Sequence, residues 1–237
     1  MQPLLVLRLE GLLQSWGEIG KWNYRDSAVF PTKSGIVGLL GCALGWQRND
    51  TRLAELSQQL RMGARADRKG LILTDFHTVQ SKHLLTALGK HRGVKGQFST
   101  LVSHRDYLQD AYFTVVLQGE QKILEQIYTA LKHPKWTLFL GRKACVPSRP
   151  VYDRIYYCYQ DIDEALSALP LANRASDVIT VEIESQADTD IRGNRYNRND
   201  ALSTKPRSFF SREVIRKRIV VSAGGELNVS QQGNSIH

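Results

Sequence analysis

Lysine and arginine side chains lie in blocks along this chain, and blocks of this kind can bind an anionic partner. Residues 80–105 and 126–152 contain no aspartate or glutamate. The cations of these two blocks are Lys82, Lys90, Arg92, Lys95, Arg105, Lys132, Lys135, Arg142, Lys143 and Arg149. Residues 191–218 are also basic, whereas residues 161–190 are acidic. A single charge run is usually a solvated face, but several separate basic blocks indicate a surface that grips phosphates.

Cations lie at the start of a predicted helix and at the end of a predicted strand, where they could bind a nucleic-acid backbone. Lys33 and Ser34 stand at the predicted start of a helix, where free N–H groups favour a phosphate. The alternative is that Ser34 simply caps this helix. Arg142 and Lys143 follow a strand predicted at residues 136–140, so they could contact a phosphate backbone at the strand end.

A long loop at residues 11–31 contains aromatic residues beside cations. Trp16, Trp22 and Tyr24 lie in this loop close to Arg25. Aromatic rings next to cations can stack on the unpaired bases of a single-stranded nucleic acid. The alternative is that the rings pack on the core, and this alternative is stronger for Trp16 than for Tyr24.

Residue types in and beside the first basic block could also cleave RNA without a metal. Such a reaction needs a base that activates the 2′-hydroxyl and a cation that stabilises the transition state. His91, His104, Tyr107 and Lys95 could supply these groups. Binding surfaces contain the same residues without catalysis. A metal-independent endoribonuclease is therefore the alternative to a binding protein.

The sequence lacks the signatures of several other enzyme classes. The run TKSG at residues 32–35 lacks the glycine that a phosphate loop places upstream of its lysine, and neither GxSxG nor HExxH occurs. The histidines at positions 77, 83, 91 and 104 match no standard zinc spacing. Three widely spaced cysteines favour neither a disulfide scaffold nor a zinc site. We therefore expect no metal and no cofactor.

The composition is that of an ordinary globular protein. The chain has 237 residues, of which 42% are hydrophobic and 23% charged, and a formal net charge of +9. This length suffices for one large domain or two small ones. No apolar run approaches the ~20 residues that span a bilayer, and the first residues show no secretory signal pattern. We expect a cytoplasmic protein that does not bind a membrane.

The predicted elements form two βαβ halves of one domain. In order they are a strand at residues 3–9, helices beginning at Ser34 and at Asp50 or Thr51, a strand within 70–76, a strand at 112–118, a helix at 120–132 and a strand at 136–140. This order is that of a ferredoxin-like (RRM-type) βαββαβ domain, so we expect an α+β fold. The RNP1 motif of an ordinary RRM does not occur.

The connection between the second and third predicted strands is enlarged. Residues 78–109 are basic, contain glycines and lack the apolar content of a core, so they predict a projecting hairpin or a mobile arm. We assign this insertion and the βαβ halves to a domain at residues 1–145. Residues 146–237 are predicted to be a β-rich region with strands at 179–183 and 214–221 and a frayed tail.

Several runs of the sequence resemble one known family. In chain order they read LRLEGLLQSWG at residues 7–17, FPTKSG at 30–35, GLLG at 38–41, DFHTV at 75–79, RDYLQDA at 105–111, LGRKAC at 140–145 and PRSFFSRE at 206–213. These runs resemble the Cas-five family of CRISPR-associated proteins in its type I-E form, a subunit of the surveillance complex Cascade. They extend over nearly the whole chain.

The resemblance implies a non-catalytic subunit that holds the 5′ handle of the CRISPR RNA (crRNA) in antiviral defence. It implies a ferredoxin-like domain whose β-hairpin thumb is, by position, the insertion at residues 78–109. The implied partners are the crRNA, the large subunit CasA, the backbone subunit CasC and, indirectly, target DNA. The residues predicted to contact RNA are Lys33, Ser34, Arg25, Trp16, His77, Lys82, Arg92, Lys95, Arg105, Tyr107, Arg142, Lys143 and Arg149. Relatives in another subtype cut the precursor RNA, so an endoribonuclease that processes CRISPR repeat RNA remains the alternative.

Overall fold

The computed structural model of the chain describes residues 2–20, 23–85, 89–90, 96–172, 178–185, 191–203, 208–221 and 227–228. Within these residues the chain is a mixed α+β protein with a large antiparallel sheet, a smaller sheet and four helices. None of these helices is long and apolar enough to cross a membrane.

The elements alternate irregularly along the chain. The helices are α1 (Lys33–Leu44), α2 (Arg52–Gln59), α3 (Gln121–Lys132) and α4 (Ile162–Ala168). The strands are β1 (Leu4–Glu10), β2 (Leu13–Gln14), β3 (Tyr24–Arg25), β4 (Arg61–Arg68), β5 (Leu71–Ser81), β6 (Ser99–Gln109), β7 (Tyr112–Gln118), β8 (Tyr152–Tyr156), β9 (Val178–Glu184), β10 (Asn194–Leu202), β11 (Phe209–Val221) and β12 (Leu227–Asn228). The helix predicted at residues 120–132 is confirmed as α3.

The large sheet has helices on both faces. Its strand order is β10-β11-β9-β4-β7-β1-β8, with β12 paired to β11, and all these pairs are antiparallel. Leu5 and Leu7 of β1 share a core with α1 and α3, whereas Leu4 and Val6 share a core with α4. Because side chains alternate along a strand, β1 is buried on both faces.

The strand beside β7 in the large sheet lies earlier in the chain than predicted. It is β4, which pairs with β7 and β9, and not the strand predicted within residues 70–76. Arg65 and Asp67 of β4 are fully buried and hydrogen-bond to each other. These charged residues interrupt the apolar pattern on which the prediction depended.

The strand predicted at residues 136–140 is wrong. The N–H of Trp136 donates to the carbonyl oxygen of Cys42 at 3.2 Å, and the N–H of Leu140 donates to that of Cys145 at 2.7 Å. These donors are used at a helix end and in a turn, so they are not available to a strand ladder. The place beside β1 is taken by β8 instead.

β5 and β6 form a long antiparallel hairpin, called the thumb hairpin below. Its register runs from Leu71 opposite Gln109 to Ser81 opposite Ser99 without a shift. The short strands β2 and β3 pair with β6 and complete the smaller sheet. The hairpin prediction for the basic insertion is confirmed, and the hairpin begins at Leu71 instead of residue 78.

The C-terminal strands extend the large sheet. β9 pairs with β4, and β11 pairs with β9, which confirms the strands predicted at residues 179–183 and 214–221. Hydrogen bonding in this sheet is continuous from β8 to β10. The domain boundary between residues 145 and 146 stays a prediction. Most of the predicted frayed tail, residues 223–226 and 229–237, lies outside the described residues.

Candidate nucleic-acid interface

Asp106 anchors the thumb hairpin to the rest of the chain. Its carboxylate accepts hydrogen bonds from the hydroxyls of Tyr24 and Thr74. Its main-chain oxygen accepts from the hydroxyl of Ser15 at 3.2 Å and from the guanidinium of Arg142 at 2.8 Å. The bond to Asp106 raises the pKa of the Tyr24 phenol. One residue of β6 therefore connects three separate segments of chain.

Arg142 also stabilises this junction, through both terminal nitrogens of its guanidinium. Besides Asp106, it donates to the carbonyl oxygens of Arg25 at 2.9 Å and of Asp26 at 3.2 Å. The guanidinium carbon lies 4.8 Å from the centre of the Tyr107 ring. Because these donors are used within the protein, the phosphate contact of Arg142 stays a prediction. Arg142 positions the residues around it.

Gly141 allows this arrangement. It has a φ of +97°, a backbone conformation that residues with a side chain rarely adopt. A Cβ at this position would lie 1.7 Å from the carbonyl oxygen of Ser15. Glycine is therefore required for the turn that brings Arg142 under the loop containing β3.

Arg25, Arg105 and Lys143 form the basic surface at this junction, called the junction patch below. Arg25 and Arg105 are register partners in the parallel pair of β3 and β6, and Lys143 follows Arg142. Arg25 and Lys143 are exposed and Arg105 is half-buried. Arg105 donates to the hydroxyl of Ser103 at 3.3 Å. None of the three forms an ion pair with a described residue.

The two faces of the thumb hairpin differ near the junction. His77 lies on the face of Arg105, where its Nε2 is 2.6 Å from the carboxylate of Asp75. On the other face, Phe76 is 60% exposed, and its ring meets that of His104 at 5.4 Å. Phe76 was not predicted as a site residue. Its signal in the sequence is an aromatic residue between polar neighbours in a strand next to the basic block.

Trp16 does not take part in this surface. Its side chain is only 1% exposed, and its indole N–H donates to the side-chain oxygen of Gln14 at 3.1 Å. The prediction that Trp16 contacts RNA is wrong because the ring is buried in the core. The alternative that the loop packs on the core holds for this residue.

Lys33 and Ser34 also lie away from an accessible anion site. The Lys33 ammonium donates to the carboxylate of Glu184 at 2.8 Å. Its burial lowers its pKa although the Glu184 carboxylate opposes this shift. The N–H of Lys33 donates to Asp200 at 2.8 Å. Thr32, and not Ser34, caps α1 with its side-chain oxygen. A carboxylate already occupies the helix N-terminus, so the phosphate contact predicted there does not fit.

The remaining predicted residues are scattered. Tyr107 is only 3% exposed, so it cannot stack on a base. Lys82 lies 5.1 Å from the ring centre of Phe98 near the tip of the thumb hairpin. Arg149 is exposed and donates to the hydroxyl of Tyr112 at 3.0 Å. The predicted residues that lie outside the described part are Arg92 and Lys95, together with His91 of the nuclease alternative.

Part of the basic block at residues 191–218 is neutralised inside the large sheet. Arg198 donates to Glu182 at 2.8 Å, and Arg212 donates to Asp200 at 2.6 Å. These four side chains, called the sheet network below, are all less than a tenth exposed. The block therefore offers less free charge than its sequence indicates. In the part of the chain that the structure describes, no group of three His, Cys, Asp or Glu residues could hold a metal.

Known proteins of one family share the sequence and the fold of this chain. The sequence model of the family described as CRISPR-associated protein (Cas_Cas5) matches residues 4–221. The chain is 33% identical to the CRISPR system Cascade subunit CasD of Escherichia coli (strain K12), over 94% of this chain and 100% of that protein.

Two solved structures have a similar fold. A chain of a CRISPR RNA-guided surveillance complex matches with a TM-score of 0.73 and 31% identity, over 94% of this chain and 92% of that one. A structure described as a Cas protein matches with a TM-score of 0.65 and 32% identity, over 91% and 94% of the two chains. Sequence and fold agree, and the chain belongs to the Cas5 family of CRISPR-associated proteins.

Proposed function

We propose that this chain is a non-catalytic subunit that holds the 5′ handle of a crRNA in a Cascade complex of antiviral defence. Its E. coli relative is a Cascade subunit, and a similar chain belongs to an RNA-guided surveillance complex. The observation that carries the proposal is the pairing of Arg25 with Arg105 across β3 and β6, where neither forms an ion pair with a described residue.

In this proposal the junction patch neutralises phosphates of the handle. Adjacent guanidiniums suit a phosphate because each can donate two parallel hydrogen bonds. Lys143, which directly follows Arg142, is the third cation of this patch, and His77, Lys82 and Arg149 are further candidate contacts. Asp106 and Arg142 act as positioning residues.

The fold supports RNA binding at the thumb rather than on the large sheet. We propose that β4, β7, β1 and β8, with α1 and α3, form a ferredoxin-like unit of RRM type. An ordinary RRM binds bases on its open sheet face. Here α4 covers that face. The Arg65 guanidinium holds α4 in place because it donates hydrogen bonds to the carbonyl oxygens of Leu166 and Leu169. The thumb junction, in contrast, is an open surface where RNA could bind.

Tyr107 supports a binding role over the ribonuclease alternative. A catalytic base must reach the 2′-hydroxyl of the RNA. The Tyr107 side chain is 3% exposed and lies beneath the guanidinium of Arg142. Incubation of the purified chain with repeat RNA in EDTA tests this point. Specific cleavage that is lost in the His104→Ala variant would contradict the binding role.

The proposal also includes the protein partners of the complex. The large subunit CasA and the backbone subunit CasC are the proposed neighbours, and target DNA is contacted indirectly through the crRNA. The proposed place of action is the cytoplasm. Purification of the complex through a tag on this chain, followed by sequencing of the bound RNA, tests the assignment. RNA with a uniform repeat-derived 5′ end is expected, and its absence from an intact complex would contradict the proposal.

Salt dependence tests the junction patch itself. For a single strand, each phosphate contact adds about 0.7 to the slope of log affinity against log salt. The double variant Arg25→Gln/Arg105→Gln should therefore lower the slope by up to about 1.4. Arg154→Gln, which removes an exposed arginine from β8, is the matched control and should leave the slope unchanged. A double variant with the wild-type slope would contradict the role of the patch.

A further inference from the structure

β5 is a long strand that is paired on one side only. Its partner is β6, and no described strand pairs with its other edge. About every second residue of such an edge directs its N–H and C=O groups outward. The strand has 11 residues, and at about 3.4 Å per residue the open edge is roughly 37 Å long.

The other long edge strands described in this structure are protected against pairing. β10, at one edge of the large sheet, contains Arg195 and Arg198 and has an irregular register. β8, at the opposite edge, contains Asp153 and Arg154 and also has an irregular register. Charges and bulges are the usual means of blocking an edge. β5 contains no lysine, arginine or proline, its one carboxylate (Asp75) lies 2.6 Å from His77 of the same strand, and its register has no shift.

Apolar side chains accompany this open edge. The exposed fractions are 74% for Leu71, 61% for Ile72, 41% for Leu73, 60% for Phe76 and 43% for Val79. Leu71, Leu73 and Val79 share one face of the hairpin, and Ile72 and Phe76 share the other, because successive side chains alternate. A strand added beside β5 would cover apolar surface on both faces. Exposed apolar surface of this extent is typical of an interaction site.

We propose that β5 accepts an extended segment of another protein as an added strand of the smaller sheet. Main-chain hydrogen bonds along the edge would supply affinity, and the alternating apolar side chains would supply specificity. The inference goes beyond RNA binding and does not depend on it. The occupant is a segment that is apolar in its middle and acidic at its ends, because Lys69 and Lys82 flank β5 on its two sides.

The charges favour this occupant over two others. RNA affinity comes mainly from neutralised phosphates, and β5 contains no lysine or arginine to neutralise them. A second copy of this chain, paired antiparallel through its own β5, would bring Lys69 of one copy close to Lys82 of the other. Like charges at both ends of the pair would oppose that dimer.

Amide hydrogen exchange tests the added strand directly. Exchange of residues 71–81 is measured in the isolated chain and in the purified complex. We expect alternate amides of β5 to exchange at least tenfold more slowly in the complex, since only the outward N–H groups gain a partner. Equal exchange in both samples would overturn the proposal, and so would protection that grows with the concentration of the isolated chain.

Photo-crosslinking identifies the occupant. The photoreactive residue p-benzoylphenylalanine is placed at position 72 in the complex. The control is position 136, an exposed residue that contacts the C-terminal end of α1. A crosslink from position 72 to an extended segment of another protein subunit is expected. A crosslink to RNA or to a second copy of the chain, or the absence of any crosslink, would overturn the proposal.

A matched pair of variants separates the edge from the hairpin as a whole. Leu73 on β5 and Val102 on β6 are similarly exposed, at 41% and 38%. Leu73→Lys places a charge beside the open edge, and it should lower the crosslink yield from position 72 at least fivefold. Val102→Lys should leave the yield unchanged. Equal effects of the two variants would overturn the assignment to the β5 edge.

Discussion

Two basic regions of this molecule carry arginines in opposite states. In the sheet network, Arg198 and Arg212 are buried and bonded to Glu182 and Asp200. At the thumb junction, Arg25 and Arg105 lie side by side without an ion pair among the described residues. The first region uses its charge to join strands, and in the proposed function the second binds phosphates.

The number of cations in a stretch of sequence therefore does not give the charge that the folded protein has available for binding. Residues 191–218 are as basic in sequence as the thumb block, yet acids of β9 and β10 neutralise part of that charge. A buried ion pair contributes little net stability, but removal of one partner is costly because the other charge is left unpaired. The two regions should therefore respond to mutation in different assays.

The largest expected effect is on stability, from the sheet network. Asp200 is 1% exposed and accepts hydrogen bonds from Arg212 and from the N–H of Lys33. Asp200→Ala leaves a buried guanidinium without its partner, and this should lower the free energy of unfolding by about 3–5 kcal/mol. Urea denaturation measures the loss.

The control for this prediction is an exposed pair. Glu213→Gln breaks the ion pair with Arg195, in which both side chains are 46% exposed, and should leave the unfolding midpoint unchanged. If Asp200→Ala were as stable as the wild type, the sheet network would not be the structural element described here.

The next effect concerns Arg142, which lies in the binding region but is used like a structural arginine. Arg142→Ala removes the donors to Asp106, Arg25 and Asp26. RNA affinity should fall about tenfold because the junction patch loses its position, while the salt slope stays close to that of the wild type. Filter binding at several salt concentrations measures both quantities. A reduced slope would show that Arg142 contacts phosphate after all.

A smaller effect is the response of the sheet network to acid. Burial alone would raise the pKa of Asp200, but the hydrogen bond and charge of Arg212 outweigh it and lower this pKa. A carboxyl with a lowered folded pKa stabilises the protein above its unfolded pKa of about 3.9, and this stability is lost as the pH falls through the folded value. The free energy of unfolding, measured at pH 7, 5, 4 and 3, should fall less steeply with decreasing pH in Asp200→Asn than in the wild type. Identical pH profiles would contradict the assignment.

The smallest effect is that of the Tyr24 hydroxyl. Tyr24→Phe removes its hydrogen bond to Asp106 but keeps the ring beside β6. We expect faster amide exchange at residues 104–106, a modest loss of RNA affinity and no change in the salt slope. The control is Tyr157→Phe, which removes the hydroxyl of an exposed tyrosine. A lower salt slope in Tyr24→Phe would show that the Tyr24 hydroxyl is needed for a phosphate contact.

Local pattern was enough to predict part of this fold. The apolar stripe of α3, the alternation of β9 and the basic, glycine-containing insertion each depend on neighbours in sequence, and each was predicted. β4 was missed because Arg65 and Asp67 are buried with each other, an arrangement that period-2 patterning does not indicate. The strand predicted at residues 136–140 failed because its N–H groups bond to α1 and to a turn.

The site was less predictable than the fold. Lys33 looked available at a helix start, but its partners Glu184 and Asp200 are 151 and 167 residues away in sequence. Arg142 looked like a phosphate contact because its three carbonyl acceptors cannot be seen before the chain folds. Arg25 and Arg105 were both predicted as contacts, while their adjacency depends on the parallel pair of β3 and β6.

Gly141 has a consequence for how mutational data on this protein would be interpreted. Any side chain there would collide with the Ser15 carbonyl oxygen, so almost every substitution should abolish RNA retention in a genetic screen. The position would then score like a ligand contact, although glycine has no side chain with which to touch the ligand. A screen that scores soluble expression alongside RNA retention would separate such turn positions from the cations proposed to bind phosphates.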